Sequence, residues 1–262
     1  MKILTPFIFG CASLCVVTSQ AQTAPATKAA SGIAAERNFA LPATDDGLAG
    51  TGPIRRYDWF QKLWTEKRSG WAKRVKQDQD GVVFLGDSIT QGLERPASAK
   101  VVAETFPGMT VLNLGYNADK TENVLWRLRH GEIDGLSPKV IVVMIGTNNS
   151  GHRADPPEIT AKGIGMILED LRAKMPNAKI ALLSIFPRGD AAHPINQKIN
   201  ALLPSLADGK TIFHFDLNEA FLDANGQVPH EIMPDKLHPS AKGDALWMKA
   251  LKPRLDQILG DS

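Results

Sequence analysis

The residues best suited to chemistry begin with Ser88, in the stretch "FLGDSITQG" (84–92) directly behind the apolar pair Val82 and Val83. A hydroxyl in that place belongs either to an ordinary turn or to a nucleophile held at the mouth of a strand. A serine attacks well only when a base removes its proton. His238 is the candidate base, since a neutral imidazole titrates in the working range. Asp235 stands three residues earlier, near enough within a turn to hold Nδ1 of the ring and leave Nε2 for Ser88. Attack on an ester creates an oxyanion, which needs hydrogen donors aimed at it beforehand. The backbone amides of Ser88 and Gly115 and the side-chain amide of Asn148 are the candidates. Gly115 has no side chain, so its amide can approach a substrate closely. Asp87 is expected to brace the nucleophile turn by accepting backbone amides. Each residue also has an ordinary reading: Gly-Asp-Ser as a turn, a histidine before proline as a surface or capping residue, an asparagine after Gly-Thr as a turn former. Their joint appearance, in order along the chain, favours the catalytic reading.

The elements that must position these residues follow a strand-then-helix rhythm. Short apolar runs bounded by turn residues occur at Val82–Leu85, Val111–Leu114, Val140–Ile145, Ile180–Ile185 and Ile212–Phe215. Such continuous runs suit strands covered on both faces. Helical patterns lie between them, around 97–106, 121–130, 157–175 and 195–206, with a last helix at 241–259 that Pro253 can interrupt. The alternation predicts one α/β domain around a mainly parallel sheet. In such a sheet sites gather at the carboxyl ends of the strands. Ser88, Gly115 and Asn148 follow the first three strands there, and Asp235 and His238 stand just ahead of the last helix.

Bulk properties narrow the classes further. The 262 residues carry a formal net charge of +2, with no basic stripe, so no nucleic-acid partner is expected. Lys2, the apolar run from Ile3 to Val17 and Ser19-Gln20-Ala21 have the layout of a secretory signal peptide over 1–21. That run is too short for a stable membrane span, and a secreted or periplasmic location is expected. Both cysteines, Cys11 and Cys15, fall inside it. A mature chain cut near Ala21 then has neither disulfide nor thiol chemistry. Residues 22–54 read as a flexible lead-in rich in Ala, Thr, Pro and Gly, and 55–262 as the folded domain. The latter opens on Trp59, Phe60, Leu63, Trp64, Trp71 and Val75 at roughly helical spacing, read as core packing over sugar stacking. His130, His152, His214 and His230 show no metal-site spacing, and His193 is read as a surface-loop residue. Arg127 and Arg129 are read as a solvated helix face. No phosphate loop and no G-x-S-x-G elbow is present. No metal or other cofactor is expected.

Four blocks, "FLGDSITQG", "LNLGYNADKTENVLWRL", "VIVVMIGTNN" and "PDKLHPSAKG", resemble the SGNH or GDSL hydrolases. The resemblance extends from about Gly81 to Pro253. It is nearest to the branch of platelet-activating-factor acetylhydrolase subunits and bacterial acetyl esterases, of which "TENVLWRL" and "FPRGD" are typical. It implies a three-layer α/β/α, flavodoxin-like fold on a five-stranded sheet. It also implies Ser88 as nucleophile, His238 as base oriented by Asp235, and an oxyanion hole of Ser88, Gly115 and Asn148. One departure stands out: Asn117 and Ala118 replace the glycine pair usual after the second-block glycine. A stiffer, bulkier loop is expected there. The implied activity is a serine esterase releasing short acyl groups, acetyl foremost, from a small-molecule or polysaccharide ester, with carbohydrate as the favoured alcohol. The alternatives are a lipase-like or lysophospholipase-like esterase and a catalytically weak carbohydrate-binding protein on the same scaffold.

Overall fold

A computed structural model describes residues 81–260 apart from 130, 191 and 192. The expected signal peptide, the lead-in and the tryptophan-rich segment lie outside the described residues.

Five strands form one sheet: β1 (Val82–Gly86), β2 (Val111–Gly115), β3 (Val140–Met144), β4 (Lys179–Leu183) and β5 (Ile212–Phe215). Their order is β2-β1-β3-β4-β5 and every pairing is parallel. Among the described residues seven α-helices connect and follow them. They are α1 (Ser88–Gln91), α2 (Pro96–Thr105), α3 (Thr121–Arg129), α4 (Thr147–Arg153), α5 (Pro157–Lys174), α6 (His193–Leu202) and α7 (Ala241–Gly260). The five apolar runs and the five longer helical patterns are therefore present within a few residues of their expected bounds.

Side chains alternate across a strand, and both faces are apolar. Val83, Leu85, Ile141 and Val143 point into a core with Val124 and Leu128 of α3 and Ile164 and Leu168 of α5. Val82, Phe84, Val140 and Val142 point the other way, against Val102 of α2 and Trp247, Met248 and Leu251 of α7. Trp247 is fully buried and meets Phe84 and Phe186 edge-on, with centroids 5.9 and 4.9 Å away. That arrangement suits the quadrupoles of the rings. The result is the expected three-layer α/β/α stack.

Two details differ from expectation. Pro253 does not break α7, which runs through it to Gly260; the carbonyl that loses its donor belongs to Lys249, on the exposed side, where water can replace it. And α1 and α4, four and seven residues long, carry no apolar period that could have announced them. Both start at strand ends, and both carry residues singled out for chemistry. In strand order, β1 and β3 are neighbours although β2 separates them in sequence, which is the reversal that opens a crevice at their carboxyl ends.

Candidate active site

The first strand ends at Gly86 and the chain turns at once into α1. Asp87 caps this helix, its buried carboxylate accepting the amide of Ile89 at 3.0 Å. Ser88 is the first helical residue. So tight a turn needs bare backbone on both sides. A Cβ on Gly86 would lie 2.2 Å from Thr90 Oγ1 and 2.5 Å from the Met144 carbonyl oxygen. One on Gly115 would lie 2.3 Å from the Gln91 nitrogen. Gly115 thus has a packing reason of its own: it lets the Ser88 helix lie on the end of β2. Asn113 ties the two together, donating from Nδ2 to the Thr90 carbonyl at 2.7 Å and accepting the Gly115 amide at Oδ1 at 2.8 Å.

The segment before α7 brings the second group. Asp235 Oδ1 accepts the amides of Leu237 and His238 at 3.0 and 2.7 Å, closing a turn around itself. Its Oδ2 lies 2.6 Å from His238 Nδ1. The other ring nitrogen, Nε2, lies 2.8 Å from Ser88 Oγ. Residues 150 positions apart in sequence therefore form a continuous serine–imidazole–carboxylate line. Lys236, between the acid and the ring, has a φ of 65°, left-handed backbone that an L-residue adopts at a cost of about 1–2 kcal/mol. The segment is tied down on both flanks. Arg95 donates to the carbonyl of Pro239, next to His238, and to Asp244 of α7. Lys236 O accepts the Gly189 amide at 2.9 Å.

Asn148 is the second residue of α4 and is buried. Its Nδ2 donates to the backbone carbonyl of Asp119 at 2.9 Å. That bond takes one of two amide hydrogens and fixes the rotamer. Asn149 beside it joins the loop after β2 to α4: its Oδ1 accepts the Thr121 amide, and its Nδ2 donates to Thr121, Glu122 and Asp155. Arg188, from the loop after β4, donates to the Thr147 carbonyl at 2.9 Å and steadies the same helix start. In the loop after β2, Ala118 has a φ of 60°, so the departure from a glycine pair puts an alanine in backbone that favours glycine.

Arg127 corrects the reading of a solvated face. It is 1% exposed and pairs with the buried carboxylates of Asp119 and Glu132. Arg129 does lie at the surface, paired with Asp170. The spacing held the signal: three residues after Val124 and next to Leu128, Arg127 lies on the apolar stripe of its helix. Asn113, Asp119 and Arg95 had no comparable signal, because Thr90, Asn148 and Asp244, which they hold, come from other segments. His193 begins α6, where its Nδ1 accepts the Arg188 amide. His214 hydrogen-bonds Ser184 at 3.0 Å. Among the described residues no group of three or more His, Cys, Asp or Glu is placed to hold a metal ion, and no helix is long and apolar enough to cross a membrane.

The carboxyl groups around Ser88 are tuned in opposite directions. Burial pushes Asp87 up to about 7, against the Ile89 amide and the charges of His238 and Arg188. Burial also raises Asp235, but the amide and ring of His238 and the Leu237 amide outweigh it and hold its carboxyl below the ordinary range. An ionised Asp235 can therefore fix the Nδ1–H tautomer and stabilise an imidazolium, leaving Nε2 to accept a proton from Ser88.

The GDSL-like Lipase/Acylhydrolase family matches residues 84–246. The alpha1 subunit of platelet-activating factor acetylhydrolase IB from Pongo abelii is 34% identical over 200 residues, covering 75% of this chain and 84% of that protein. Among solved structures, a GDSL-like lipase from Bacteroides thetaiotaomicron superposes with a TM-score of 0.59 at 22% identity, over 75% of this chain and 97% of that one. A carbohydrate acetylesterase from Sinorhizobium meliloti does so with a TM-score of 0.56 at 17% identity, over 68% and 99%. The two structural likenesses bear on the fold.

Proposed function

Since the chain belongs to the GDSL-like lipase/acylhydrolase family, whose members hydrolyse esters, we propose that it removes short acyl groups, acetyl foremost, from oxygen esters through Ser88, His238 and Asp235. Ser88 Oγ attacks the ester carbonyl while its proton passes to His238 Nε2. The carbonyl π electrons move onto oxygen, and the resulting oxyanion is met by the amides of Ser88 and Gly115 and by Asn148 Nδ2. For Gly115 this means exchanging Asn113 Oδ1 for the substrate oxygen, an adjustment of the kind that catalytic hydrogen bonds make when substrate arrives. Collapse breaks the ester C–O bond, the alcohol leaves with the proton from His238, and the acyl group stays on Ser88. Water then repeats the sequence, giving its proton to Nε2 and releasing the acid.

The observation that carries this reading is the pair of contacts on one imidazole: 2.8 Å from Nε2 to Ser88 Oγ and 2.6 Å from Nδ1 to Asp235 Oδ2. The acyl group is argued from the name of the 34% identical relative, an acetylhydrolase. The alcohol half is proposed as carbohydrate, with a lipid alcohol as the second reading, favoured by that same relative's name. Hydrolysis of p-nitrophenyl acetate by wild type and Ser88→Ala tests the chemistry. The variant should lose at least about 10³-fold in kcat; equal rates would support a carbohydrate-binding protein without turnover. Asn148→Ala should cost about 10²–10³ in kcat if its amide meets the oxyanion. A panel of acetylated xylan, acetylated sialic acid, acetylated glucose and phospholipid esters, each with the Ser88→Ala control, separates the two alcohols.

A further inference from the structure

We propose that Arg127 is the positioning residue of the oxyanion hole, an inference that rests on the esterase reading above. Arg127 never approaches Ser88 through any contact described. Its guanidinium instead grips the end of β2 and the loop that follows it at three points. Nε and the second terminal nitrogen lie 3.0 and 2.8 Å from Asp119 Oδ2. The same terminal nitrogen donates to the Leu114 carbonyl at 3.3 Å. The guanidinium carbon sits 4.3 Å over the centre of the Tyr116 ring. The remaining terminal nitrogen pairs with Glu132, which anchors the fork from behind. The gripped residues bracket Gly115 and end at Asp119, whose backbone carbonyl holds Asn148 Nδ2. One side chain therefore sets the place of the Gly115 amide and the partner that orients the Asn148 amide.

Energetics point to geometry as the purpose. A guanidinium 1% exposed, between carboxylates equally buried, loses its hydration in full. A buried ion pair of that kind is often no better for stability than apolar side chains filling the same volume. What it adds is direction, because a planar fork binds a carboxylate in one orientation where a lysine ammonium does not. The loop needs such a clamp. It carries Ala118 in left-handed backbone, and the Asp119 amide reaches back to the Tyr116 carbonyl at 3.1 Å in a tight turn. Oxyanion donors act only when held in place before the charge forms.

A double-mutant cycle on p-nitrophenyl acetate hydrolysis tests the proposal, using Arg127→Lys, Asn148→Ala and the pair. Arg127→Lys keeps the charge and loses the fork. It should lower kcat by about 10–100-fold, a fraction of the loss from deleting a donor outright, with KM within about 3-fold. In the Asn148→Ala background the same substitution should cost several-fold less than it does alone, the share that acts through Gly115 remaining, because coupled residues do not add. Asp119→Asn keeps the carbonyl that holds Asn148 and removes the ionic grip. It should follow Arg127→Lys and keeps the test available if the lysine variant fails to fold. A kcat unchanged in folded Arg127→Lys, or an equal loss with and without Asn148, overturns the proposal. If Ser88→Ala retains activity, the esterase reading itself fails; if only Arg127→Lys is silent, the clamp alone is wrong.

Discussion

At the scale of single residues the site depends on where carboxylates keep or lose their protons. Asp87 and Asp235 lie on either side of the Ser88–His238 pair, one pushed up to about 7 by burial and the other held down by the His238 and Leu237 contacts. The consequence for stability has a definite sign. Folded Asp87 titrates above its unfolded value of 3.8, so between about pH 4 and 7 the native state holds a proton that the unfolded chain has released. Its contribution is fully present below that window and is lost as pH rises through 7. Asp87→Asn, which can still cap α1, should remove this slope. Urea midpoints at pH 4.5 and 7.5 measure it: the wild-type midpoint should fall relative to that of the variant at the higher pH. Parallel midpoints would show that Asp87 is not the group responsible. The sequence announced Asp87 as a brace; that it is a buried carboxyl with a raised pKa depends on the strands and helices stacked over it.

At the scale of elements, the turn that carries Ser88 is a problem of clearance. The short helix α1 lies on the ends of β1 and β2 because Gly86 and Gly115 have no side chains to hold it off. In Gly115→Ala the new methyl would meet the Gln91 nitrogen at 2.3 Å and the Thr90 carbonyl carbon at 2.7 Å, both backbone atoms of α1. The helix must shift, and Ser88 shifts with it. Displacement of a reacting group by about 1 Å can cost about 10²-fold in rate. Gly115→Ala should therefore lose at least about 10²-fold in kcat/KM while keeping the far-ultraviolet circular dichroism of the wild type. Full activity in a folded Gly115→Ala protein would sink this account. The blocks around Ser88 and Gly115 were readable in sequence, but their shared reason was not. Neither glycine names the other as its neighbour, and Asn113, which links their loops, reads alone as one more strand-end polar residue.

On the scale of the whole molecule, strand order does the assembling. Placing β1 beside β3 opens the crevice into which Ser88 and Asn148 project from adjacent strand ends, and the segment before α7 then lays His238 over Ser88. We propose export as well, a property of the whole chain that would bring such an enzyme to acylated polymers outside the cytoplasm. Lys2 and the apolar run Ile3–Val17 support it. Mass spectrometry of exported protein should find a mature N-terminus near Gln22, and an exported chain that retains Met1 would rule cleavage out.

The sequence by itself determined the class of fold, since five apolar runs spaced by helical patterns leave few ways to bury both faces of a sheet. It also supplied the short list of candidate site residues, because local motifs carry their own turn chemistry. Only the tertiary structure decided that Arg127 is inside, that Asp119 holds Asn148, and that Arg95 ties the His238 segment to α7. The physical reason is the same each time. A polar side chain becomes buried when partners arrive from other elements, and periodicity records the face a residue lies on, not what will meet it there.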